Sequence, residues 1–480
     1  MGDSLPAAAD VFANLPPAHP DDDALRKSIR SLRTEERRFI GVLDDDPTGS
    51  QAVHDVQVVT VLEESAYQAA LDGPARTCFV LTNSRSLGRR AAARLTTRAA
   101  RGLISEAGRR GARIDLISRS DSTLRGHLFA EVAALAAVHE EMLGGGPDGV
   151  LLAPAFIEAG RLTAGDIHWA RTPAGLVPVG DTEFARDRVF GYAASDLRDY
   201  IAEKSGGAIG AGGVLSISLA DIRLGGASRI RDLLARANDA SWLVVNATEY
   251  SDLEAVAHAV LLAEREGQSF LFRTGPSFVR ALAGLGPRPP LRGREISPPA
   301  GHRGHGLIVV GSHVAQTTRQ VAALRARDGI TSIELDVPSL LRGGSRVATA
   351  TARHVVAALG RSDVLLCTSR TVVSDSRGQA DLAIARTVSS ALASVARRAL
   401  AARPAWIIAK GGITSHDVAV RGLRIRRAEV AGQLFPGLIS VFRPADAAPE
   451  AIGLPYVVFP GNVGDDQALT RVVAILNGAD

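Results

Sequence analysis

The chain of 480 residues has two cysteines, three lysines and an aromatic content of 4%. Each scarcity excludes something. Cys78 and Cys367 are far apart, and each lies inside an apolar run. They read as small buried residues of a reducing cytoplasm, not as a disulfide. Few aromatics, with arginines scattered among acids, leave no stacking surface for nucleic acid. The formal net charge of +4 is small for this length. No apolar run reaches the length of a membrane span, and the N-terminus has no basic segment leading into an apolar one, so it does not read as a secretory signal. The expectation is a cytoplasmic protein with neither a nucleic-acid nor a membrane partner.

Motifs are missing too. There is no GxxxxGK[ST] loop, no protein-kinase signature set, no CxxC or HExxH zinc pattern and no GxSxG elbow. Gly144-Gly-Gly-Pro-Asp-Gly149 matches GxGxxG formally but precedes a strand pattern, where a dinucleotide fingerprint follows one. His302, His305 and His313 share no face with acids at ligand spacing and read as loop or core residues.

What is present is alternation. Short β-branched runs at 39–43, 56–61, 77–81, 113–117, 150–153, 214–217, 242–246 and 270–272 alternate with helical patterns at 87–107, 124–142, 227–237 and 253–266. A Pro-, Gly- and Arg-rich stretch over 285–305 interrupts them. A second series follows, with strands at 307–310, 332–335, 364–367, 406–409, 438–442 and 456–459. This pattern predicts two doubly wound α/β domains with a ligand cleft between them. The expected divisions are a flexible leader over 1–36, an N-terminal domain over 37–284, a linker over 285–305 and a C-terminal domain over 306–480.

Polar clusters close several strands, where open α/β sheets bind ligands. Asp44-Asp45-Asp46-Pro47-Thr48-Gly49 ends the first. Adjacent acids repel, so concentrating them suggests a proton to be moved or hydroxyls to be held. Thr48 and Gly49 are expected to open a helix. Thr82-Asn83-Ser84-Arg85 and Arg119-Ser120-Asp121-Ser122-Thr123-Leu124-Arg125 close two more strands. Asp121, Ser122 and Thr123 suit the cap of a helix beginning near Leu124. Arg85 and Arg125 suit a carboxylate, because the guanidinium fork makes two parallel hydrogen bonds. Arg161, His168 and the stretch to Asp187 form a binding loop or a subunit-contact arm. In the second half, Gly311-Ser312, Lys410-Gly411-Gly412-Ile413-Thr414-Ser415 and Gly461-Asn462-Val463-Gly464 are strand-to-glycine turns whose backbone N–H groups could approach phosphate oxygens.

In this order, Asp45-Asp46-Pro-Thr-Gly49, Asp121-Ser-Thr-Leu-Arg-Gly126, Gly311-Ser312 and Gly411-Gly-Ile-Thr-Ser415 resemble the four-carbon acid sugar kinases, the tetronate and 3-oxo-tetronate kinases. Asn83-Ser-Arg85, Gly160-Arg161, Glu183-Phe-Ala-Arg-Asp187 and Arg273-Thr-Gly-Pro-Ser277 are similar to further family elements. The resemblance implies an N-terminal substrate domain and a C-terminal ATP domain, with ATP- and Mg2+-dependent phosphorylation of a terminal hydroxyl on a small sugar acid. It implies that Asp45 or Asp46 takes the hydroxyl proton. Asn83, Ser84, Arg85, Asp121, Ser122, Thr123, Arg125, Arg161 and His168 would face the acid. Ser312, Lys410 to Ser415, Gly461, Asn462 and Gly464 would face ATP. Pro47 and the extra Asp44 depart from the commoner acidic turn and leave the substrate open. The long 161–188 region could be an arm exchanged in a homodimer. Two alternatives remain: a non-catalytic sugar-acid sensor and a hydroxy-acid dehydrogenase.

Overall fold

The computed structural model describes residues 7–73, 75–302, 304–369, 379–435 and 437–479. Its chain divides into two compact units: Met1–Val56 with Leu62–Pro287, and Gln57–Val61 with Arg288–Asp480. Both are α/β. The strands in chain order are β1 (Arg38–Asp44), β2 (Val56–Val59), β3 (Thr77–Leu81), β4 (Arg113–Arg119), β5 (Gly149–Ala153), β6 (Arg161–Ala164), β7 (Ile167–Thr172), β8 (Gly175–Pro178), β9 (Leu215–Ile217), β10 (Ser241–Val245) and β11 (Phe270–Thr274). They continue with β12 (Leu307–Val310), β13 (Ile330–Leu335), β14 (Asp363–Thr368), β15 (Ile407–Lys410), β16 (Arg427–Gln433), β17 (Ser440–Asp446) and β18 (Tyr456–Phe459).

In the first unit the order β3-β1-β4-β11-β5-β10-β9 is parallel throughout. Parallel strands are covered on both faces, so they read as continuous apolar runs; β1, β3 and β5 are buried at every position. The chain leaves β1 for β3 on one side and β4 on the other, making the C-terminal end of β1 a switch point. β6, β7 and β8 form a separate antiparallel sheet. Sequence periodicity did not announce it, because its strands are short and polar at alternate positions.

The second unit has a parallel run β13-β14-β12-β15-β18, extended by antiparallel β17 and β16, with β2 beside β16. Its core gathers Ile308, Val310, Leu365, Trp406, Ile408, Val457 and Phe459.

Several expectations are corrected. Residues 1–6 of the expected leader lie outside the described residues, but 23–35 form a helix with Ile29 and Leu32 buried. That helix is amphipathic, and its apolar stripe belongs to the first unit's core. The 285–305 stretch is not loose either: Leu291 and Ile296 enter the second unit's core. No helix opens at Thr48; residues 47–52 are turns. The helix expected from Leu124 begins at Leu128, because Leu124 (φ 66) and Gly126 (φ 128) adopt left-handed backbone that a right-handed helix cannot contain. Cys78 and Cys367 are both buried, and neither forms a disulfide.

Candidate active site

Neighbouring strands β3, β1 and β4 end side by side, and each end carries one of the polar clusters. The three acids at the end of β1 are handled in three ways. Asp44 is wholly buried, and its Oδ1 accepts from Arg119 Nη1 at 2.7 Å and from the Asp46 N–H at 3.2 Å. Asp46 is engaged at both oxygens. Its Oδ1 accepts from Thr48 N at 2.8 Å and Thr48 Oγ1 at 2.7 Å, and its Oδ2 pairs with Arg85. Asp45 is different. It is buried, Arg119 Nη1 stands 3.6 Å away, and neither carboxylate oxygen has a hydrogen-bond partner.

An ionised carboxylate without hydrogen bonds is costly to bury. Burial pushes the Asp45 carboxyl up to about 6, against the pull of Arg85 and Arg119 and with the push of Glu131. Burial likewise raises Asp44 to about 6, partly offset by Arg119. Glycine is required beside them: a Cβ at Gly49 would come within 2.1–2.3 Å of the Asp44 carboxylate and Arg119. A Cβ at Gly126 would stand 3.0 Å from Asp45 Oδ2 and 2.9 Å from Arg273 Nη2. A side chain at Gly126 would press on both Asp45 and Arg273.

The β4 loop supplies Asp121, which accepts from Thr123 Oγ1 and from Arg125 Nε at 2.6 Å, with Arg85 Nη1 at 3.5 Å. Burial alone would raise its carboxyl, but Arg85 and Arg125 more than offset that and hold it well below the usual range. The loop is fixed from behind. His168 Nε2 bonds the Ser122 carbonyl at 2.8 Å, Tyr192 donates to the Thr123 carbonyl at 2.7 Å, and Tyr200 donates to the Leu124 carbonyl at 2.7 Å. His168 is wholly buried, and burial pushes it down to about 4. Its other nitrogen bonds Thr163 Oγ1 at 2.9 Å. It is a neutral strut of the loop. The β6–β8 sheet thus serves to position this loop.

Asn83 adopts left-handed backbone (φ 48), and its N–H donates to the Asp44 carbonyl at 3.3 Å. Ser84 donates to Glu131. The guanidiniums differ in their commitments. Arg85 and Arg125 face the acids just named. Arg161 stands 5.7 Å over the Phe184 ring, Arg125 5.1 Å over it. Arg161 donates to the Ala159 carbonyl at 3.0 Å, while its Nε is buried without a partner. Burial lowers its guanidinium from the ordinary value, which a nearby anion would reverse.

A supporting layer lies behind the loops: the sequence motifs include Arg119 and Arg273 but give them no role, and they leave out Ser118 and Glu131. Arg273 Nη1 donates to Ser118 Oγ at 2.6 Å and pairs with Glu131, and Ser118 in turn meets Glu131 at 3.3 Å. The available signal was a charged residue inside or closing an apolar pattern: Arg119 after Leu116-Ile-Ser, Glu131 inside Leu128-Phe-Ala-Glu-Val, and Arg273 after Phe270-Leu-Phe.

In the second unit, adjacent parallel strands β12, β15 and β18 end in the three glycine turns. A Cβ at Gly311 would stand 2.3 Å from Thr414 Oγ1, one at Gly411 3.1 Å from the Ser312 Cβ, and one at Gly461 2.8 Å from Ser312 Oγ. Gly411 also has φ 109. The three turns pack closely: a Cβ at Gly311 or Gly461 would press on the Thr414 or Ser312 hydroxyl, and the backbone at Gly411 disfavours any side chain. Thr317 Oγ1 ties them, donating to the Gly461 carbonyl at 2.7 Å. Gln320 holds the next bend through the carbonyls of Val463 and Asp465, around Gly464 at φ 80. Gly412, Ile413, Thr414 and Ser415 lie in a short helix over Gly412–Asp417, and Ile413 is exposed. Asn462 follows Gly461 in the turn after β18.

Lys410 is not a surface charge. It is wholly buried, its Nζ donates to the Pro460 carbonyl at 2.9 Å and stands 3.7 Å over the Phe459 ring, and burial pushes it down to about 7. It braces the β18 turn from beneath. Among the described residues no three His, Cys, Asp or Glu side chains stand close enough to hold a metal ion.

Two family models match. One, described as a sugar-binding N-terminal domain, covers residues 40–282, and the other, a nucleotide-binding C-terminal domain, covers 307–469. A candidate tRNA synthase of Salmonella typhimurium LT2 has a similar structure, with a TM-score of 0.67 at 16% identity over 91% of this chain and 98% of that one. A Haemophilus influenzae protein of the DUF1537 family has a TM-score of 0.62 at 18% identity over 91% of this chain and 100% of that one. No curated relative matches the chain. The described helices include none long and apolar enough to cross a membrane.

Proposed function

The chain belongs to the family of four-carbon acid sugar kinases, and from that premise we propose that it phosphorylates a terminal hydroxyl of a four-carbon sugar acid, using ATP. The observation that carries the reading is Asp45: a buried carboxylate with two unpartnered oxygens at the switch point of the sugar-binding unit. Asp46, bonded at both oxygens, is the wrong candidate for a base. It shapes the turn and holds Arg85.

Phosphoryl transfer asks a protein mainly for positioning and charge neutralisation. Asp45 accepts the proton of the attacking hydroxyl. Raised to about 6, it is ionised at neutral pH yet basic enough to take that proton. Arg161 receives the substrate carboxylate, with Arg125 beside it; both lie over Phe184. The Asp121 loop contributes polar groups for the substrate hydroxyls. In the nucleotide-binding unit, the Gly311, Gly411 and Gly461 turns with Ser312 and Thr414 would cradle phosphates through backbone N–H groups.

The test is product analysis with Mg2+ and ATP across four-carbon sugar acids and their 3-oxo and branched relatives. The reading expects ADP and a phosphorylated acid from one stereochemical subset. Ligand-induced stabilisation without ADP would favour a sensor, and reduction of a nicotinamide cofactor a dehydrogenase.

A further inference from the structure

Three guanidiniums surround the Asp45 carboxylate. Arg85 comes from the loop after β3, Arg119 from the end of β4 and Arg273 from β11, and Asp44 and Asp46 flank Asp45 on its own turn. Each guanidinium is claimed by another acid. Arg119 Nη1 donates to Asp44 at 2.7 Å, and Arg85 pairs with Asp46 and stands 3.5 Å from Asp121. Arg273 is claimed by Glu131. Asp45 is left with no hydrogen-bonded guanidinium of its own.

Glu131 takes no part in the proposed chemistry, yet it is a buried carboxylate in the first turn of the helix Leu128–Leu143. Burying it there is costly unless it is paired. One of its oxygens accepts from Ser84 Oγ, and the other accepts from Arg273 Nη1 and, at 3.3 Å, from Ser118 Oγ. Arg273 Nη1 also donates to Ser118 Oγ at 2.6 Å. One carboxylate thus ties together the loop after β3, β4 and β11. The other end of the Arg273 fork lies near Asp45: Arg273 Nη2 and Asp45 Oδ2 stand 2.9 and 3.0 Å from where a Cβ at Gly126 would be. Burial pushes the Asp45 carboxyl up to about 6, Arg85, Arg119 and Arg273 pull it down, and Glu131 pushes it up. A third guanidinium without its own acid would pull Asp45 further toward a weakly basic carboxylate, a poorer acceptor for a hydroxyl proton.

We propose that Glu131 is a positioning residue that claims Arg273, fixing that guanidinium beside Asp45 while cancelling enough of its charge for Asp45 to remain a competent proton acceptor. Glu131 touches no reacting atom and acts through Arg273. The role presupposes Asp45 as the group that takes the hydroxyl proton.

The direct readout is the proton on Asp45, followed by infrared titration of the full-length protein without ligand. The carboxyl C=O absorption missing from Asp45→Asn identifies the Asp45 share. Glu131→Gln leaves the Arg273 charge uncancelled, and Asp45 is expected to lose its proton at least about half a pH unit lower than in the parent. Arg273→Gln leaves Glu131 unopposed, and Asp45 is expected to lose its proton at higher pH than in the parent. Either change strands a buried charge and can disturb folding. The double variant Glu131→Gln/Arg273→Gln strands none, and its midpoint should stay within about half a pH unit of the parent's. A purely structural brace would move both single variants the same way or move neither. An unmoved or raised midpoint in Glu131→Gln, a lowered one in Arg273→Gln, or a larger displacement in the double variant would each overturn the proposal. The kinase reading fails separately: midpoints shifted as expected, with no phosphorylated product from any sugar acid, would support the charge pairing around Asp45 and overturn the phosphoryl transfer.

Discussion

Three consecutive aspartates meet different fates because their neighbours differ. Asp44 faces Arg119, Asp46 faces Arg85 and Thr48, and Asp45 is left with buried, unbonded oxygens. Replacing Asp45 by Asn should lower kcat by roughly 10²–10⁴-fold, the usual worth of a general base. It should also stabilise the fold at pH 7. A carboxyl raised to about 6 against an ordinary 3.8 favours the folded state only while protonated. That stability is present below about pH 4 and lost as pH rises through 6. Removing the charge should therefore gain about 1–3 kcal/mol at neutral pH, measured by denaturant unfolding. A loss of stability parallel to the loss of activity would mark Asp45 as structural. The same shift predicts that kcat/KM rises with pH through about 6 as Asp45 ionises. Arg161→Ala should raise the KM for the sugar acid at least tenfold with little change in the KM for ATP; equal effects on both would remove it from the substrate site.

Loops make the site, and they were only partly legible. The polar runs containing Asp45, Arg85, Asp121 and Arg125 stand out because each closes an apolar strand, and the structure brings their ends together. The backbone between them was not legible. Leu124 in left-handed conformation is a poor intrinsic choice, imposed by tertiary bonds from His168, Tyr192 and Tyr200 that no local pattern reveals. Tyr200→Phe should therefore leave the Leu124 carbonyl unpaired and cost about 1–3 kcal/mol, with a KM effect confined to the sugar acid. The glycine turns make the matching prediction on the other side. Gly311→Ala, whose Cβ would collide with Thr414, should weaken ATP-dependent thermal stabilisation and leave sugar-acid stabilisation intact. Lys410 shows the limit of motif reading: its place beside two glycines suggested a phosphate contact, but burial turns it toward the Pro460 carbonyl.

At the scale of the whole chain, strand–helix alternation was readable because parallel strands are buried on both faces and so appear as unbroken apolar runs. The antiparallel pieces were less so. β6–β8 and β16 are short or interrupted, and their pairing depends on contacts across the sequence. The amphipathic helix near the N-terminus was hidden by charge: Arg26 and Arg33 are buried in it, beside Ile29 and Leu32. The division of labour between a sugar-binding and a nucleotide-binding domain lets one measurement test Asp45 as the proton acceptor. Rapid-quench single turnover with Mg2+, ATP and the responsive sugar acid would compare the parent protein with Asp45→Asn. Phosphorylated acid is expected to form at least 100-fold more slowly in the variant, with both ligands still bound. Equal rates of phosphorylated product would contradict it.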